Sequence, residues 1–401
     1  MSSANTLVQE DGFGLIPRQH SSSNSTRQSY EIVRRYTMTN SGKSSVRLIS
    51  WGAGIQSVKI PNDKGILGDV VLGYDSMNGY LKNKNNQFRN ISGRVENHIS
   101  SNGQLSKFRK QKNFEEDTKN RSHGFDDRNW DSYILGNQVV MSNLSNNSGA
   151  KLLTQVKYSW TDENQLNINI QATSTRPTPV NVTARCLFNL AGHGTGAKEL
   201  KKHVVTINAE KWTFMDLKDG IPNGAIRSVK STIYDLRFPT CLTNERLCRV
   251  PGGGYDHNLC IDSPSVWCYR FHARVLHPGS GRFMEVYSNQ PGIQFYTGND
   301  IPDPKSLQPS RADIDHFNCC QGACGDQINS GMKSRLLTTE KQDDSPAGKD
   351  GIRYQKHGGM ILSPQNYPNA INTEGFPPCV LRPGKIYVHD LTYKFGVLRK
   401  K

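Results

Sequence analysis

A single arginine among short polar residues marks the first place where this chain could do chemistry. In Thr178-Pro179-Val180-Asn181-Val182-Thr183-Ala184-Arg185-Cys186-Leu187-Phe188-Asn189-Leu190, a period of two puts Val180, Val182, Ala184, Cys186 and Phe188 on one side. Asn181, Thr183, Arg185 and Asn189 fall on the other, which is the alternation of a strand with a dry face and a polar face. A long, permanently charged side chain on an open sheet face must meet water or an anionic or hydroxylated partner. The segment therefore reads either as the wall of a binding cleft or as a solvated outer face.

The other concentration of reactive side chains is His316-Phe317-Asn318-Cys319-Cys320-Gln321-Gly322-Ala323-Cys324. It holds enough soft ligands for a metal, but adjacent cysteines fit a Cys-x-x-Cys knuckle poorly, so no metal site is expected there. It lies within residues 303–346, a stretch rich in Ser, Asp, Lys, Gln and Pro between two strand patterns, which reads as a flexible insert carrying reactive thiols.

The elements that must position these residues are strands. Arg47 to Trp51 and Gln56 to Ile60 flank a Gly-Ala-Gly turn, Asp69 to Gly73 is short and apolar, and Leu166, Ile168, Ile170 and Ala172 alternate without a break. Further runs are expected at Ser132–Leu135, Gln138–Met141, Leu152–Trp160, His203–Ala209, Trp212–Met215, Val266–Val275, Phe283–Tyr287, Ile293–Tyr296, Gly359–Leu362, Lys385–His389 and Leu391–Leu398. No helical period persists beyond a few turns and no repeat is visible, so the class is all-β, a large sandwich in one domain over 29–398. Residues 1–28 are polar and expected to be poorly ordered apart from an anchor at Phe13-Gly14-Leu15.

The formal charge is +15, from 50 basic and 35 acidic residues. The basic residues are spread thinly, with local groups at Lys107–Lys112 and Arg399–Lys401, and no aromatic interleaving or nucleic-acid-binding signature accompanies them. Nucleic-acid binding is therefore not expected. No apolar run approaches the ~18 residues of a membrane span, and the start lacks a leader pattern, so a cytoplasmic location is expected. Nine cysteines is an odd number, scattered mostly within strand patterns as reduced thiols would be.

Several stretches, taken together, resemble the aldose 1-epimerase (galactose mutarotase) family. They are Leu48 to Ala53, Asp69 to Tyr74, Ser92-Gly93-Arg94-Val95-Glu96-Asn97, Thr178 to Gly192, Gly254-Tyr255-Asp256-His257-Asn258, Glu285-Val286-Tyr287, Gln290 to Asn299 and Gln365 to Ala370. The resemblance implies a galactose-mutarotase-like β-supersandwich that binds a monosaccharide such as galactose or glucose without a cofactor. In that family a glutamate base takes the proton from the C1 hydroxyl while a histidine acid protonates the ring oxygen. The ring opens, the carbon rotates and the ring recloses.

The same resemblance implies sugar-holding roles for Asn97, His123, Asp256 and Gln294. His98 stands where the family has an arginine. Asn97 and Asp256 are otherwise turn formers, and Gln294 a strand cap. The two chemical positions are changed. Arg185 stands where the family has its acid, and Ser363, in Leu362-Ser363-Pro364-Gln365, where it has its base. An arginine cannot pass a proton back and forth near neutral pH, and a serine has no useful basicity unless activated. The implied function is a carbohydrate-binding protein with impaired mutarotation, with acidic sugars as a further ligand class because the cleft becomes more positive. The alternatives are an active epimerase using a rearranged pair from Glu96, His98 and His123, and an interaction protein that docks through the insert.

Overall fold

The computed structural model describes residues 6–18, 29–82, 88, 91–95, 124–147, 149–215, 222–302 and 347–398. Asn97, His98, His123, Glu96, the Lys107–Lys112 group and the 303–346 insert with its cysteines lie outside the described residues.

A nine-stranded antiparallel sheet forms the backbone of the molecule. Its order is Thr240–Cys241, Val204–Ile207, Arg270–Leu276, Arg282–Ser288, Tyr387–Val397, Gln165–Ser174, Ala150–Trp160, Gln138–Asn147 and Asp131–Leu135. The clean alternation at 166–172 appears as expected: Leu166, Ile168, Ile170 and Ala172 are buried, and the residues between them are at least partly open. Tyr387–Val397 is one strand where two were expected, and it pairs along its length with Gln165–Ser174 and Arg282–Ser288. His389, Leu391, Tyr393 and Phe395 of this strand face inward, so no break in the pattern is needed.

Two five-stranded sheets complete the layers. The first is ordered Leu7–Pro17, Tyr30–Thr39, Ser45–Ile49, Gly54–Pro61, Leu67–Asp69, and the second Pro222–Ser228, Lys211–Met215, Asp256–Cys260, Gly292–Tyr296, Ile361–Gln365. Side chains from all three sheets, among them Tyr36, Trp160, Leu166, Leu259, Phe295 and Phe395, share one contiguous core. Helices are single turns such as Asn244–Arg249, capped where the Thr243 hydroxyl accepts from Arg246 N. No helix among the described residues is long and apolar enough to cross a membrane.

The N-terminal region departs from the sequence expectation. Residues 7–17 are a strand, not a poorly ordered segment. They pair with Tyr30–Thr39, with a register shift between Gly12 and Gly14. Glu10 and Asp11 form ion pairs with Arg34 and Arg35 on the paired strand. Ile16 and Phe13 join Val33, Ile49 and Met77 in a small satellite core. A Cβ on Gly14 would fall 2.7 Å from Met77 Cγ, so that contact requires glycine.

The segment 178–190 also departs from expectation. It is not a continuous two-faced strand. Its backbone meets several partners in turn: Thr178–Pro179 pairs with Val380–Leu381, Thr183–Ala184 with Ile91–Ser92, and isolated bridges join Asn181 to Val95 and Phe188 to both Val71 and Met360. The segment threads the interior, with the Phe188 ring 5.2 Å from that of Tyr393. Its polar residues are therefore buried as well, each satisfied by a fixed partner. Asn181 exchanges hydrogen bonds with the backbone of Asn366, and Asn189 Nδ2 donates to Gly358 O. Arg185 alone among Thr178–Leu190 is not fully buried.

Candidate functional site

The second five-stranded sheet and the buried segment meet at one place. In the ladder Asp256–Cys260, Gly292–Tyr296, Ile361–Gln365, the register sets Asn258 opposite Gln294 and Gln294 opposite Ser363. Residues directly opposite in an antiparallel pair share a face, so these three side chains form a row. Asp256 lies two residues from Asn258 and so shares that face. Gln294 Nε2 donates to Asp256 Oδ1 at 2.7 Å. Gln294 is 5% exposed, and no group among the described residues donates to its Oε1. Gly292, next along the strand, leaves room for this row: a Cβ there would stand 2.6 Å from Asn258 Oδ1.

Ser363 joins this row to the buried segment. Its hydroxyl lies 2.7 Å from Thr183 Oγ1 and 3.0 Å from Ala184 O, while Thr183 Oγ1 donates to Pro364 O at 2.6 Å. The Thr183 proton is committed to a carbonyl, so the Ser363 proton goes to Thr183 Oγ1 or to Ala184 O. Neither partner is a base. Ser363 is 1% exposed, and among the described residues its hydroxyl has no hydrogen bond to a carboxylate or imidazole. It fastens strand 361–365 to Thr183–Ala184.

Arg185 directly follows Ala184. Ala184 and Cys186 on either side of it are both core residues. Burial pushes the Cys186 thiol well above the usual range, which makes it an inert core group. An apolar crevice beside Arg185 is lined by Ala53, Ile55, Ile91, Tyr158 and Ala184 and has no room for a ligand.

The structure thus brings together three of the expected site residues, Asp256, Gln294 and Ser363, and places Arg185 next in the chain to Ala184, whose carbonyl accepts from Ser363. Asn97, His98 and His123 lie outside the described residues. Two participants were missed from sequence. Asn258 could have been found from its two-residue offset from Asp256. Thr183 could not, because its pairing with Ser363 depends on a register between segments far apart in the chain.

Other residues of the family-like stretches are structural. His257 is buried against Trp212 and Tyr234, its Nδ1 accepts from Asp256 N at 3.0 Å, and burial pulls its pKa down to about 4. The Arg94 guanidinium donates to Ser145 Oγ and Ala150 O. Asp69 accepts from Val58 N, Val71 N, the Ser57 hydroxyl and Lys349 Nζ. No group of His, Cys, Asp and Glu among the described residues is arranged to hold a metal.

The family model described as Aldose 1-epimerase matches residues 34–394. The chain is 34% identical over 360 residues to the galactose mutarotase of Bos taurus, covering 88% of this chain and 91% of that one. The chain belongs to the aldose 1-epimerase family. It is 33% identical over 361 residues to the galactose mutarotase of Homo sapiens, covering 88% of this chain and 91% of the relative. With the aldose 1-epimerase of Escherichia coli K12 it shares 27% identity over 383 residues, covering 90% and 95%. Among solved structures, an aldose epimerase homologue from C. elegans superposes with a TM-score of 0.66 at 20% identity, covering 89% of this chain and 96% of that one. A galactose 1-epimerase from Lactobacillus acidophilus does so with 0.63 at 15% identity, covering 98% and 99%. The fold of this aldose 1-epimerase family member is accordingly the galactose-mutarotase-like β-supersandwich that its motifs implied.

Proposed function

We propose that this aldose 1-epimerase family member binds an aldohexose such as galactose or glucose in the cytoplasm and has little or no mutarotase activity. The observation that carries the reading is the Ser363 hydroxyl, at the family's base position and spent on Thr183 and Ala184 O. A positioned general acid or base each contributes roughly 10²- to 10⁴-fold. With serine at one position and arginine at the other, both contributions are lost. Proximity cannot replace them, because ring opening involves the sugar alone. Binding is supported by Gln294 and Asp256, whose bonded side chains share one sheet face with a buried amide oxygen left to be met. The free thiols of Cys186, Cys241, Cys248, Cys260, Cys268 and Cys379 fit a reducing compartment.

Polarimetry on freshly dissolved α-D-galactose tests the catalytic half. The expected rate with the purified chain is the spontaneous one. A rate far above it that disappears in His123→Ala would establish the rearranged, active site instead. Calorimetry with galactose and glucose tests the binding half, and no heat at millimolar sugar would overturn it.

A further inference from the structure

The outer face of the nine-stranded sheet carries an apolar row that the sugar-binding reading does not use. We propose that this row and the basic residues around it form a docking surface for a membrane whose lipid headgroups are anionic.

The row follows from register. Leu152 and Thr154 are buried, and Leu153 between them points to the other side of the sheet. Leu144 stands directly opposite Leu153 on one neighbouring strand, and Thr173 on the other. One step past the Ala172 and Tyr387 pair, the ladder sets Ile386 opposite Thr173. Val388 follows two residues on and shares the face. Leu144, Leu153, Ile386 and Val388 are 60%, 48%, 62% and 39% exposed. Singly, such residues are ordinary on a surface. Here they line up across four strands, over roughly 14 Å by strand spacing, interrupted only by a threonine.

The charge along these strands is of one sign. Segments 142–155, 171–178 and 380–389 contain Lys151, Arg176, Arg382 and Lys385 and no acidic residue. All four cations are exposed, and none is in an ion pair among the described residues. They gather at one end of the sheet. Thr175 N donates to Lys151 O and Lys151 N to Thr175 Oγ1, the Arg176 guanidinium lies beside Gly149 in the turn between two strands, and Lys385 N donates to Arg382 O just before Ile386. Two carboxylates stand further in along the same face, and both are engaged: Asp390 accepts from Asn169 Nδ2, and Asp131 acts on the Arg34 guanidinium.

A membrane with anionic headgroups matches both features at once. It draws lysine and arginine to its surface and accepts protruding aliphatic side chains at the boundary between headgroups and acyl chains. It also asks for no groove, and this is an open sheet face, whereas an amphipathic peptide is held in a groove. A second copy of the chain apposed through the same row would bring basic rim against basic rim.

Cosedimentation of the full chain with vesicles tests the assignment. Vesicles of mixed phosphatidylserine and phosphatidylcholine should bind roughly tenfold or more tightly than phosphatidylcholine alone, and the difference should shrink at high salt. Leu144→Ser with Leu153→Ser, and separately Lys151→Gln with Arg176→Gln, should each weaken binding to the mixed vesicles by roughly tenfold, with unfolding midpoints unchanged because these side chains are exposed. The lipid and salt comparisons use the unmodified chain, so they stand even where a variant folds poorly. Equal affinity for the two vesicle types, or none for either, overturns the inference. So does mixed-vesicle binding that both pairs of substitutions leave intact, because the attraction then comes from the overall charge of +15 and not from this face. Polyglutamate binding that Lys151→Gln with Arg176→Gln removes, without any vesicle preference, would give the face to an acidic polypeptide instead. A dimer in sedimentation velocity that Leu144→Ser with Leu153→Ser dissolves, again without vesicle preference, would give it to a second copy. None of these outcomes bears on the sugar reading.

Discussion

Gln294 Nε2 donates to Asp256 Oδ1 at 2.7 Å, and this bond decides which way the Gln294 amide faces. With the nitrogen committed to the carboxylate, Oε1 is the atom left over, buried and without a donor among the described residues. A folded chain tolerates such an atom more readily where a ligand hydroxyl can reach it. Gln294→Met removes both the orphan and the bond at similar volume. Its expected effect is a fall of roughly tenfold in affinity for galactose with little change in unfolding free energy, because the wild-type oxygen gained nothing in the free protein. Calorimetry and urea denaturation on the same variant check the two halves. Unchanged affinity would remove Gln294 from the site.

Lys349 and Asp69 form a buried ion pair, with Nζ 2.6 Å from Oδ2 and side-chain exposures of 4% and 11%. Burial pulls the lysine pKa down, and Asp69 opposes that shift. Lys349 Nζ also donates to Gln56 O, and Lys349 N to Gly73 O, so this lysine ties residues 347–351 to the first five-stranded sheet. Removing one partner of such a pair leaves the other charge buried and costs about 3–5 kcal/mol. Lys349→Met should destabilise by that amount in urea denaturation. A loss of about 1 kcal/mol or less would mean that water reaches Asp69.

Acid should unfold this protein early. Burial holds His203 at about 3 and His257 and His389 at about 4. The hydrogen bonds agree with neutral rings: Leu190 N donates to His203 Nε2 and Asp256 N donates to His257 Nδ1, so each ring must keep an unprotonated nitrogen. The unfolded chain protonates histidine near its ordinary value of about 6.5. These folded values are depressed, so the unfolded state binds more protons between the two. Stability is full above about 6.5 and falls as the pH drops toward the folded values. Each histidine contributes about 1.4 kcal/mol per pH unit in that window. Urea midpoints measured from about pH 7.5 down to about pH 5 should fall steeply below about 6.5, and His389→Gln should flatten the slope. A flat profile would show that the folded state binds protons as readily as the unfolded chain over this range.

The strand class and most strand positions were legible because alternation is a local signal, as at Leu166 to Ala172, where each inward residue meets the same core. The hairpin of residues 7–39 was hidden because its edge strand is built from backbone pairing and the Glu10 and Asp11 ion pairs, which leave no apolar period. Thr178 to Leu190 misled for the opposite reason. Its period of two is real, but both faces are buried, and only non-local contacts such as Asn181 with Asn366 decide that. Asp256 and Gln294 were readable from motifs, and the structure puts them in contact. Thr183 as the partner of Ser363 was not readable, because no local rule fixes a register across 180 residues.

The most demanding prediction concerns the pair of substituted positions. If Arg185 and Ser363 are what silences mutarotation, Arg185→His with Ser363→Glu should restore it, and the gain should need both. An acid without a base, or a base without an acid, leaves ring opening with a high-energy partner, so each single variant should stay near the spontaneous rate. The double variant should exceed it by roughly 10²-fold or more. The gain carries a stability cost. Ser363→Glu removes the hydroxyl that meets Thr183 Oγ1 and Ala184 O in a site now 1% exposed. The groups left unpaired cost about 1–3 kcal/mol. Polarimetry on α-D-galactose and a urea titration of the same samples read both effects. A folded double variant that binds galactose but stays at the spontaneous rate would show that the residues holding the sugar have diverged too.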